Sequence, residues 1–361
     1  MNKELKDIIE ILEKLMSYHT VEGNNEEFNK LFDYIKSIIP KNLFVEEYEF
    51  KKHKSIVISN TKCKSLDLVF CTHIDVVPAD DYQFKYDGVY IKGRGSFDMK
   101  GSVAVCLKLL EAFNTTKKVG LFITSDEEIA GYCAQQLLEI YKVAFAIVPD
   151  GGKDLQIVQE EKGQLQLKVS IKTKSAHASQ PYNGDNAIVK LYEVYHKLIK
   201  KYPLPKSSEE YKTSVNLSLI EGGEALNSVA ENASMVLDIR HTSDNSKEEI
   251  MNFIKEINPA LKIEVIHAGS LFKTNLNDEN VKKYLKVSEK VTGKNVSIVS
   301  SEATSDAIYF SDKNIPTILT NPVGDYAHAK DEYIEAASLL QLYKIWKEML
   351  KEEKQNEKYG K

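Results

Sequence analysis

The residues best suited to do chemistry in this sequence are three consecutive acids, Asp126, Glu127 and Glu128. They come directly after the apolar run 119–124, which is short and rich in β-branched residues, as in a buried strand. A buried carboxylate is costly unless another group pairs with it. The acids are therefore either the solvated first turn of a helix or part of a metal site. In a metal site, one carboxylate would be a ligand and its neighbour a base.

Histidines and acids also end other predicted strands, which favours the metal site. The apolar runs 66–71 and 143–148 lead into His73 and Asp150, and in α/β sheets ligands bind beyond the carboxyl ends of the strands. Each candidate alone has an ordinary structural explanation, but together they form the nitrogen and oxygen donor set that zinc takes. The candidate ligands, each after a predicted strand or a glycine turn, are His73, Asp98, Glu128, Asp150 and His328.

The elements that must position these residues fall into two patterns. In 1–162 and 271–361 strands alternate with amphipathic helices, which predicts an α/β domain with a mixed, largely parallel sheet between helices. In 163–270 the predicted order is βαββαβ, the split-βαβ or ferredoxin-like arrangement. A capping-box pattern, Ser246 to Glu249, opens its second helix. We therefore predict a catalytic domain in two segments, with an α+β domain inserted between them.

The composition excludes several classes of function. A length of 361 residues suggests two domains, and 42% hydrophobic with 28% charged residues is typical of a soluble globular protein. The net charge of −5 comes without a concentrated basic face, and no apolar run approaches a membrane span, so we expect neither nucleic acid nor membrane as a partner. The charged first residues are unlike a signal peptide, and the four cysteines lack CxxC spacing. We expect a cytoplasmic protein with reduced thiols.

Four motifs follow one another along the chain: Thr-His-Ile-Asp-Val-Val-Pro (72–78), Gly-Arg-Gly-Ser-Phe-Asp-Met-Lys-Gly (93–101), Asp-Glu-Glu-Ile-Ala-Gly (126–131) and Ala-His-Ala-Lys-Asp-Glu (327–332). In this order they resemble the motifs of the dinuclear zinc peptidase/deacylase family. This family includes acetylornithine deacetylase, succinyl-diaminopimelate desuccinylase, aminoacylase, carboxypeptidase G and tripeptidase T. The resemblance covers nearly the whole chain, and the inserted domain, 163–270, stands where the family has its lid and dimerisation domain.

The resemblance implies how the metal ligands are shared. Asp98 would bridge two zinc ions, for which cobalt or manganese could substitute, and the peptide bond after Asp98 would be cis. His73 and Asp150 would complete one metal site, and Glu128 and His328 the other.

The resemblance also implies roles for residues that do not bind metal. Glu127 would be the general base for the bridging water, and Asp75 would orient the histidine two residues before it. His177 would come from the lid of the partner subunit in a homodimer and stabilise the oxyanion. Asn227 and Arg240 match positions that bind a substrate carboxylate, although a structural ion pair is the alternative for Arg240.

The substrate is a small peptide or an N-acyl amino acid on this interpretation. Asp150 favours a small-peptide peptidase, because tripeptidases and dipeptidases of the family generally carry Asp there and deacylases generally carry Glu. An N-acyl-amino-acid deacylase, of the acetylornithine deacetylase or succinyl-diaminopimelate desuccinylase type, is the alternative. A non-catalytic binding protein on the same fold would be expected to have lost the base or ligands, and Glu127 and the ligands are present.

Overall fold

The computed structural model describes residues 1–129, 131–207 and 209–351. The sequence after Lys351, expected to be a charged and frayed tail, lies outside the described residues. The α-helices are α1 (Lys3–Met16), α2 (Asn25–Ile38), α3 (Gly101–Leu109), α4 (Tyr132–Ile140), α5 (Ala187–Lys201), α6 (Lys247–Ile257), α7 (Glu279–Thr292), α8 (Ala307–Asp312) and α9 (Ala336–Met349). The strands are β1 (Phe44–Phe50), β2 (His53–Ser59), β3 (Ser65–Leu66), β4 (Leu68–His73), β5 (Lys85–Tyr86), β6 (Tyr90–Lys92), β7 (Val119–Thr124), β8 (Lys142–Val143), β9 (Ala146–Val148), β10 (Ile157–Glu161), β11 (Gly163–Lys172), β12 (Ser214–Gly222), β13 (Asn232–His241), β14 (Lys262–Ala268), β15 (Phe272–Lys273), β16 (Ile298–Ser301), β17 (Thr317–Leu319), β18 (Gly324–Asp325) and β19 (Tyr333–Glu335).

The chain forms two compact units. The first, which we call the major unit, comprises 1–159, 274–299 and 305–361, and the second, the inserted unit, comprises 160–273 and 300–304. The predicted inserted domain, 163–270, falls within the inserted unit; its role as a lid and dimerisation domain stays a prediction. Within the described parts of both units, no helix is both long and apolar enough to span a bilayer.

The major unit is built on a mixed sheet between helices, which confirms the predicted α/β class. Its strands run in the order β1-β2-β7-β4-β9-β17-β10. The four central strands, β7, β4, β9 and β17, are parallel, and the strands on either side pair antiparallel. Every residue of β4 and β7 is buried, as expected for parallel strands covered on both faces. Parallel strands also bring their carboxyl ends to the same edge of the sheet.

Helices α1, α3 and α9 cover this sheet because their apolar faces pack together. The stripe Ile8, Leu12 and Leu15 on α1 is fully buried, with the three- and four-residue spacing of an amphipathic helix. Trp346 of α9 is also fully buried, with its ring centroid 5.3 Å from that of Phe70 in β4. This contact holds α9 against the central sheet.

The inserted unit has the predicted βαββαβ order, running β11-α5-β12-β13-α6-β14. Its antiparallel sheet has the strand order β12-β13-β11-β14. Leu165, Leu167 and Val169 alternate inward along β11 and belong to a core of this unit's own residues. The predicted capping box is present at the start of α6, where Ser246 and Glu249 exchange side-chain to backbone hydrogen bonds.

Candidate metal and catalytic site

The central parallel strands deliver most of the predicted site residues. His73 is the last residue of β4, Glu127 and Glu128 lie just beyond the end of β7, and Asp150 lies two residues beyond the end of β9. Because β7, β4 and β9 are neighbours and parallel, these side chains meet at one edge of the sheet. His328 lies in the loop between β18 and β19, in a left-handed conformation with φ of 64°.

Asp98 lies between the two predicted histidine ligands. It belongs to the turn between β6 and α3, which begins at Gly95 in a left-handed conformation with φ of 82°. The Asp98–Met99 peptide bond is cis, as the resemblance implied. One carboxylate oxygen, Oδ1, is 3.2 Å from His73 Nε2, and the other, Oδ2, is 2.9 Å from His328 Nε2.

Further carboxylates lie near both histidines, two beside His73 and one beside His328. His73 Nε2 is 3.6 Å from Asp150 Oδ2 and 3.9 Å from Glu127 Oε2, and His328 Nε2 is 3.0 Å from Glu128 Oε2. Potential ligand atoms lie within 4.8 Å of one another in two groups, namely His73 with Glu127 and Asp150, and His73 with Asp98 and Glu128. The structure therefore brings together all the predicted ligands and the predicted base.

The polar atoms at this edge fit a bound cation. His73 Nε2, Asp98 Oδ1 and Glu128 Oε1 are buried and make no hydrogen bond to any described residue, although buried polar atoms are usually satisfied. Mixed imidazole and carboxylate donors are those that zinc takes. A divalent ion would both satisfy these atoms and balance the crowded negative charge.

The pKa shifts of the same residues reflect that crowding. Burial raises the pKa of Asp150 to about 6, and burial followed by repulsion from Asp150 raises the pKa of Glu127 well above its usual value. Hydrogen bonds to Asp98 and Glu128 raise the pKa of His328 to about 10. Although burial opposes it, the neighbouring imidazoles of His328 and His73 lower the pKa of Asp98. The carboxylates thus attract positive charge strongly.

Asp75 contacts two of the predicted ligands, His73 and Glu128. Its backbone carbonyl is 3.1 Å from His73 Nδ1, and its Oδ1 is 3.4 Å from the same nitrogen. Its other oxygen, Oδ2, accepts the backbone N–H of Glu128 at 2.9 Å. A proton on Nδ1 would be directed at Asp75 and would leave the lone pair of Nε2 facing the ligand groups. The contact with Glu128 was not predicted from the sequence.

The first acid of the run, Asp126, has a separate function in the fold. It is fully buried, and both carboxylate oxygens accept the backbone N–H of Cys133, at 3.2 and 3.1 Å. This contact holds the start of α4.

Two other residues that the sequence analysis did not single out contact the backbone of ligands. Arg94 donates to the carbonyl of His328, and Glu332 accepts the N–H of Asp98. Arg94 belongs to the motif 93–101 and Glu332 to the motif 327–332. Their place in these motifs is the sequence feature from which they could have been predicted.

The remaining predicted residues lie in the inserted unit. His177 is exposed, forms a β-bridge with Ser228, and has Nδ1 2.7 Å from Ser179 Oγ. Asn227 is also exposed and accepts the N–H of the residue after His177 through its carbonyl, at 2.8 Å. Arg240 is partly exposed and donates from Nε to Asp238 at 2.8 Å. The ion pair weighed as its alternative role is therefore present.

A cavity of about 540 Å³ in the major unit adjoins this site. Asp75 and Glu128 form part of its wall, and Ile129 lines it with a side chain that is 44% exposed. Lys52 of the β1–β2 turn and His53, the first residue of β2, lie on another wall. Its volume is in the range of small-molecule sites.

Comparison with known proteins assigns the class and the family. The sheet gathers histidine and carboxylate side chains at its carboxyl edge, and these are donor types that catalytic metal sites use. Residues 69–352 match peptidase family M20/M25/M40, and the chain belongs to this family. It is an enzyme of the metallopeptidase and amidohydrolase class, as the motifs predicted.

Three relatives illustrate the range of the family. The chain is 26% identical over 364 residues to the succinyl-diaminopimelate desuccinylase of Wolinella succinogenes, covering 95% of this chain and 99% of that protein. Its fold is similar to that of a tripeptidase from Staphylococcus aureus, with a TM-score of 0.72 at 22% identity, covering 96% of this chain and 97% of that one. It is also similar to the YxeP protein of Bacillus subtilis, a dinuclear metal-binding peptidase, with a TM-score of 0.68 at 12% identity, covering 96% and 97%.

Proposed function

We propose that the protein hydrolyses an amide bond of a small peptide, next to a free carboxylate, at a centre that holds two zinc ions. The observation that carries this proposal is the position of Asp98. Its two oxygens lie 3.2 Å from His73 Nε2 and 2.9 Å from His328 Nε2. A carboxylate that faces two ligand groups is suited to bridge two metal ions, as in two-metal hydrolases.

The other ligands divide between the two histidines. Asp150 lies beside His73, and Glu128 lies beside His328, so each histidine would share its ion with one carboxylate in addition to Asp98. The ions would supply a water of lowered pKa that attacks a carbonyl carbon at neutral pH. Cobalt or manganese could occupy the same imidazole and carboxylate donors.

Glu127 is assigned as the general base. Its raised pKa, caused by burial and then by Asp150, means that its carboxylate holds a proton readily once it has taken one. Glu127 would receive the proton of the attacking water and return it to the leaving nitrogen. Asp75 would fix the ring of His73, because its contacts with Nδ1 leave Nε2 free to bind metal.

The substrate assignment rests on carboxylate recognition. Arg240 pairs with Asp238 through Nε but is partly exposed, so its remaining guanidinium N–H groups would bind a substrate carboxylate, and Asn227 would provide a second polar contact. The 540 Å³ cavity beside Glu128 would take the acyl side of the scissile bond. Asp150, which has the shorter of the two acidic side chains found at this position in the family, supports a peptide over an N-acyl amino acid.

An N-acyl-amino-acid deacylase is the second candidate. The observation that favours it is the match to a desuccinylase over 95% of this chain. A panel of dipeptides, tripeptides and N-acetyl and N-succinyl amino acids, assayed with metal-free and zinc-loaded enzyme, separates the two. We expect zinc-dependent cleavage of peptides with a free carboxyl terminus and little cleavage of their amides. Cleavage of N-acyl amino acids alone would assign the deacylase instead.

We also infer a homodimer through the inserted unit. Strand β12 is an edge strand, and exposed apolar side chains lie on it and on α5. Leu219, Ile220, Val189 and Tyr192 are between 49% and 63% exposed. An apolar edge strand invites pairing with a second chain. In such a dimer His177 of one subunit would donate to the oxyanion in the site of the other.

A cytoplasmic location completes the proposal. The four cysteines all lie in the described part of the chain and form no disulfide, and Cys71, Cys106 and Cys133 are buried. Unpaired cysteines are usual in reducing compartments.

A further inference from the structure

A buried ion pair between Arg94 and Glu332 lies next to Asp98 of the candidate metal site. The side chain of Glu332 is 0% exposed and that of Arg94 is 4% exposed, and Arg94 Nη1 lies 2.6 Å from Glu332 Oε2. The partners are 238 residues apart in sequence. They face each other because β6 and β19 pair antiparallel just beside them, with Lys92 opposite Tyr333.

Glu332 holds the backbone of the turn that carries Asp98. Its Oε1 accepts the N–H groups of Phe97, at 2.9 Å, and of Asp98 itself, at 3.1 Å. Its Oε2 accepts the N–H of Gly95 at 3.1 Å. One buried carboxylate therefore accepts three backbone N–H groups of this turn and pairs with the guanidinium, and it fixes the main chain from which the Asp98 side chain reaches both histidines.

Arg94 holds the backbone of His328. Its Nη2 donates to the carbonyl oxygen of His328 at 2.9 Å. His328 needs such support, because a left-handed φ of 64° is unfavourable for a residue with a side chain. In this conformation its Nε2 lies 3.0 Å from Glu128 Oε2.

We propose that Arg94 and Glu332 are positioning residues of the metal centre, which link the turn of Asp98 to the loop of His328. This proposal rests on the proposed metal binding. Neither side chain is assigned to touch metal or substrate. Their function is to hold a shared carboxylate and a histidine from distant parts of the chain at the separation that two ions require.

The two residues have distinguishable effects. Because Asp98 faces both histidines, loosening its turn through Glu332→Gln should weaken both ions. Arg94 donates directly to the backbone of only one ligand, His328, and it reaches the turn of Asp98 only through Glu332, so Arg94→Lys should weaken mainly the ion held by Glu128 and His328. A lysine at 94 keeps a cation for Glu332, but it lacks the fork that reaches both Glu332 and the His328 carbonyl.

The experiment is calorimetric titration of metal-free protein with zinc, together with the melting temperature of the same metal-free samples. We expect Glu332→Gln to raise both zinc dissociation constants by roughly 10–100-fold, the effect usual for supporting residues around metal ligands. Arg94→Lys should raise one constant by a similar factor and leave the other near its wild-type value. Cobalt spectra of the same variants would show the altered coordination without an activity assay.

Lys108→Met is the matched control. Lys108 of α3, whose side chain is 9% exposed, also makes an ion pair, with Nζ 2.8 Å from Asp7 Oδ2, but neither residue contacts a predicted ligand. This variant should lower the melting temperature without changing either zinc constant. Variants at 94 and 332 that are folded and bind two zinc ions as tightly as the wild type would overturn the inference. A wild-type protein that binds no second ion would overturn the proposed function instead.

Discussion

Glu127 and Glu128 are adjacent in the chain, but their side chains meet different partners. Glu128 Oε2 is 3.0 Å from His328 Nε2, whereas Glu127 Oε2 is 3.9 Å from His73 Nε2. Glu128 is also fixed through its N–H by Asp75. Proximity alone would allow both glutamates to be ligands, since Glu127 belongs to one of the two ligand groups. Their separation into a base and a ligand is therefore a point to test directly.

Replacing each glutamate by alanine should separate the two roles. Glu127→Ala should retain both metal ions and lose activity by about 10²–10⁴-fold, the usual contribution of a positioned base. Glu128→Ala should bind at least one ion more weakly, because it removes a ligand. Metal content after dialysis and kcat of the reloaded enzyme measure the two effects.

Glu13→Ala, on the exposed face of α1, is the control for both variants and should behave as the wild type. Equal metal loss from Glu127→Ala and Glu128→Ala would contradict the assignment, because it would make Glu127 a ligand.

At the scale of elements, the strand ends were predictable and the contacts between distant turns were not. An apolar run followed by His73 or Asp150 is visible in the sequence, and parallel pairing brings such ends together. The Arg94–Glu332 contact depends on the register of β6 with β19, three residues each. Elements that short have no readable periodicity, and the six-residue helix α8 was missed for the same reason.

The loop after β7 also borders the cavity, and this gives a test of substrate binding. Ile129 follows the two glutamates and lines the cavity wall. Ile129→Trp should fill part of the cavity and lower kcat/KM by about tenfold, mainly through KM, with metal content unchanged. Ile298→Trp is the control, because both isoleucines are 44% exposed. Equal kinetics for the two variants would mean that substrate does not enter this cavity.

The end of α1 is held by a buried lysine, Lys100. Its Nζ donates to the carbonyls of Leu15, at 3.2 Å, and Tyr18, at 2.7 Å, and burial lowers its pKa to about 7. An unfolded lysine has a pKa of about 10.4. Between these values the unfolded chain binds one more proton than the folded chain, so this residue makes stability rise with pH.

Lys100→Met should remove that pH dependence. Relative to the variant, the free energy of unfolding of the wild type should rise by about 1.4 kcal/mol per pH unit between about pH 7.5 and 9.5. Urea denaturation at three pH values in that window, with a chelator present, measures the difference. A difference that stays constant with pH would show that Lys100 keeps an ordinary pKa in the folded protein.

At the scale of the whole molecule, the predicted chemistry is divided between two compact units. The metal ligands and the base lie in the major unit, and His177, Asn227 and Arg240 lie in the inserted unit. Each unit has a core of its own residues. The inserted unit also carries the exposed apolar residues of β12 and α5. These features support a dimer in which each site takes its base from one chain and its oxyanion donor from the other.

Complementation between two inactive variants tests this arrangement. His177→Ala lacks the proposed oxyanion donor, which typically costs about 10²–10³ in rate, and Glu127→Ala lacks the base. In a mixed dimer, one site would combine the intact Glu127 of one chain with the intact His177 of the other. Random exchange makes about half of the dimers mixed, each with one restored site of two, so about a quarter of wild-type activity should return. A mixture of Glu127→Ala with Glu128→Ala should regain none, because both residues serve the site of their own chain. If subunit exchange is demonstrated and the first mixture stays inactive, His177 does not act across the dimer.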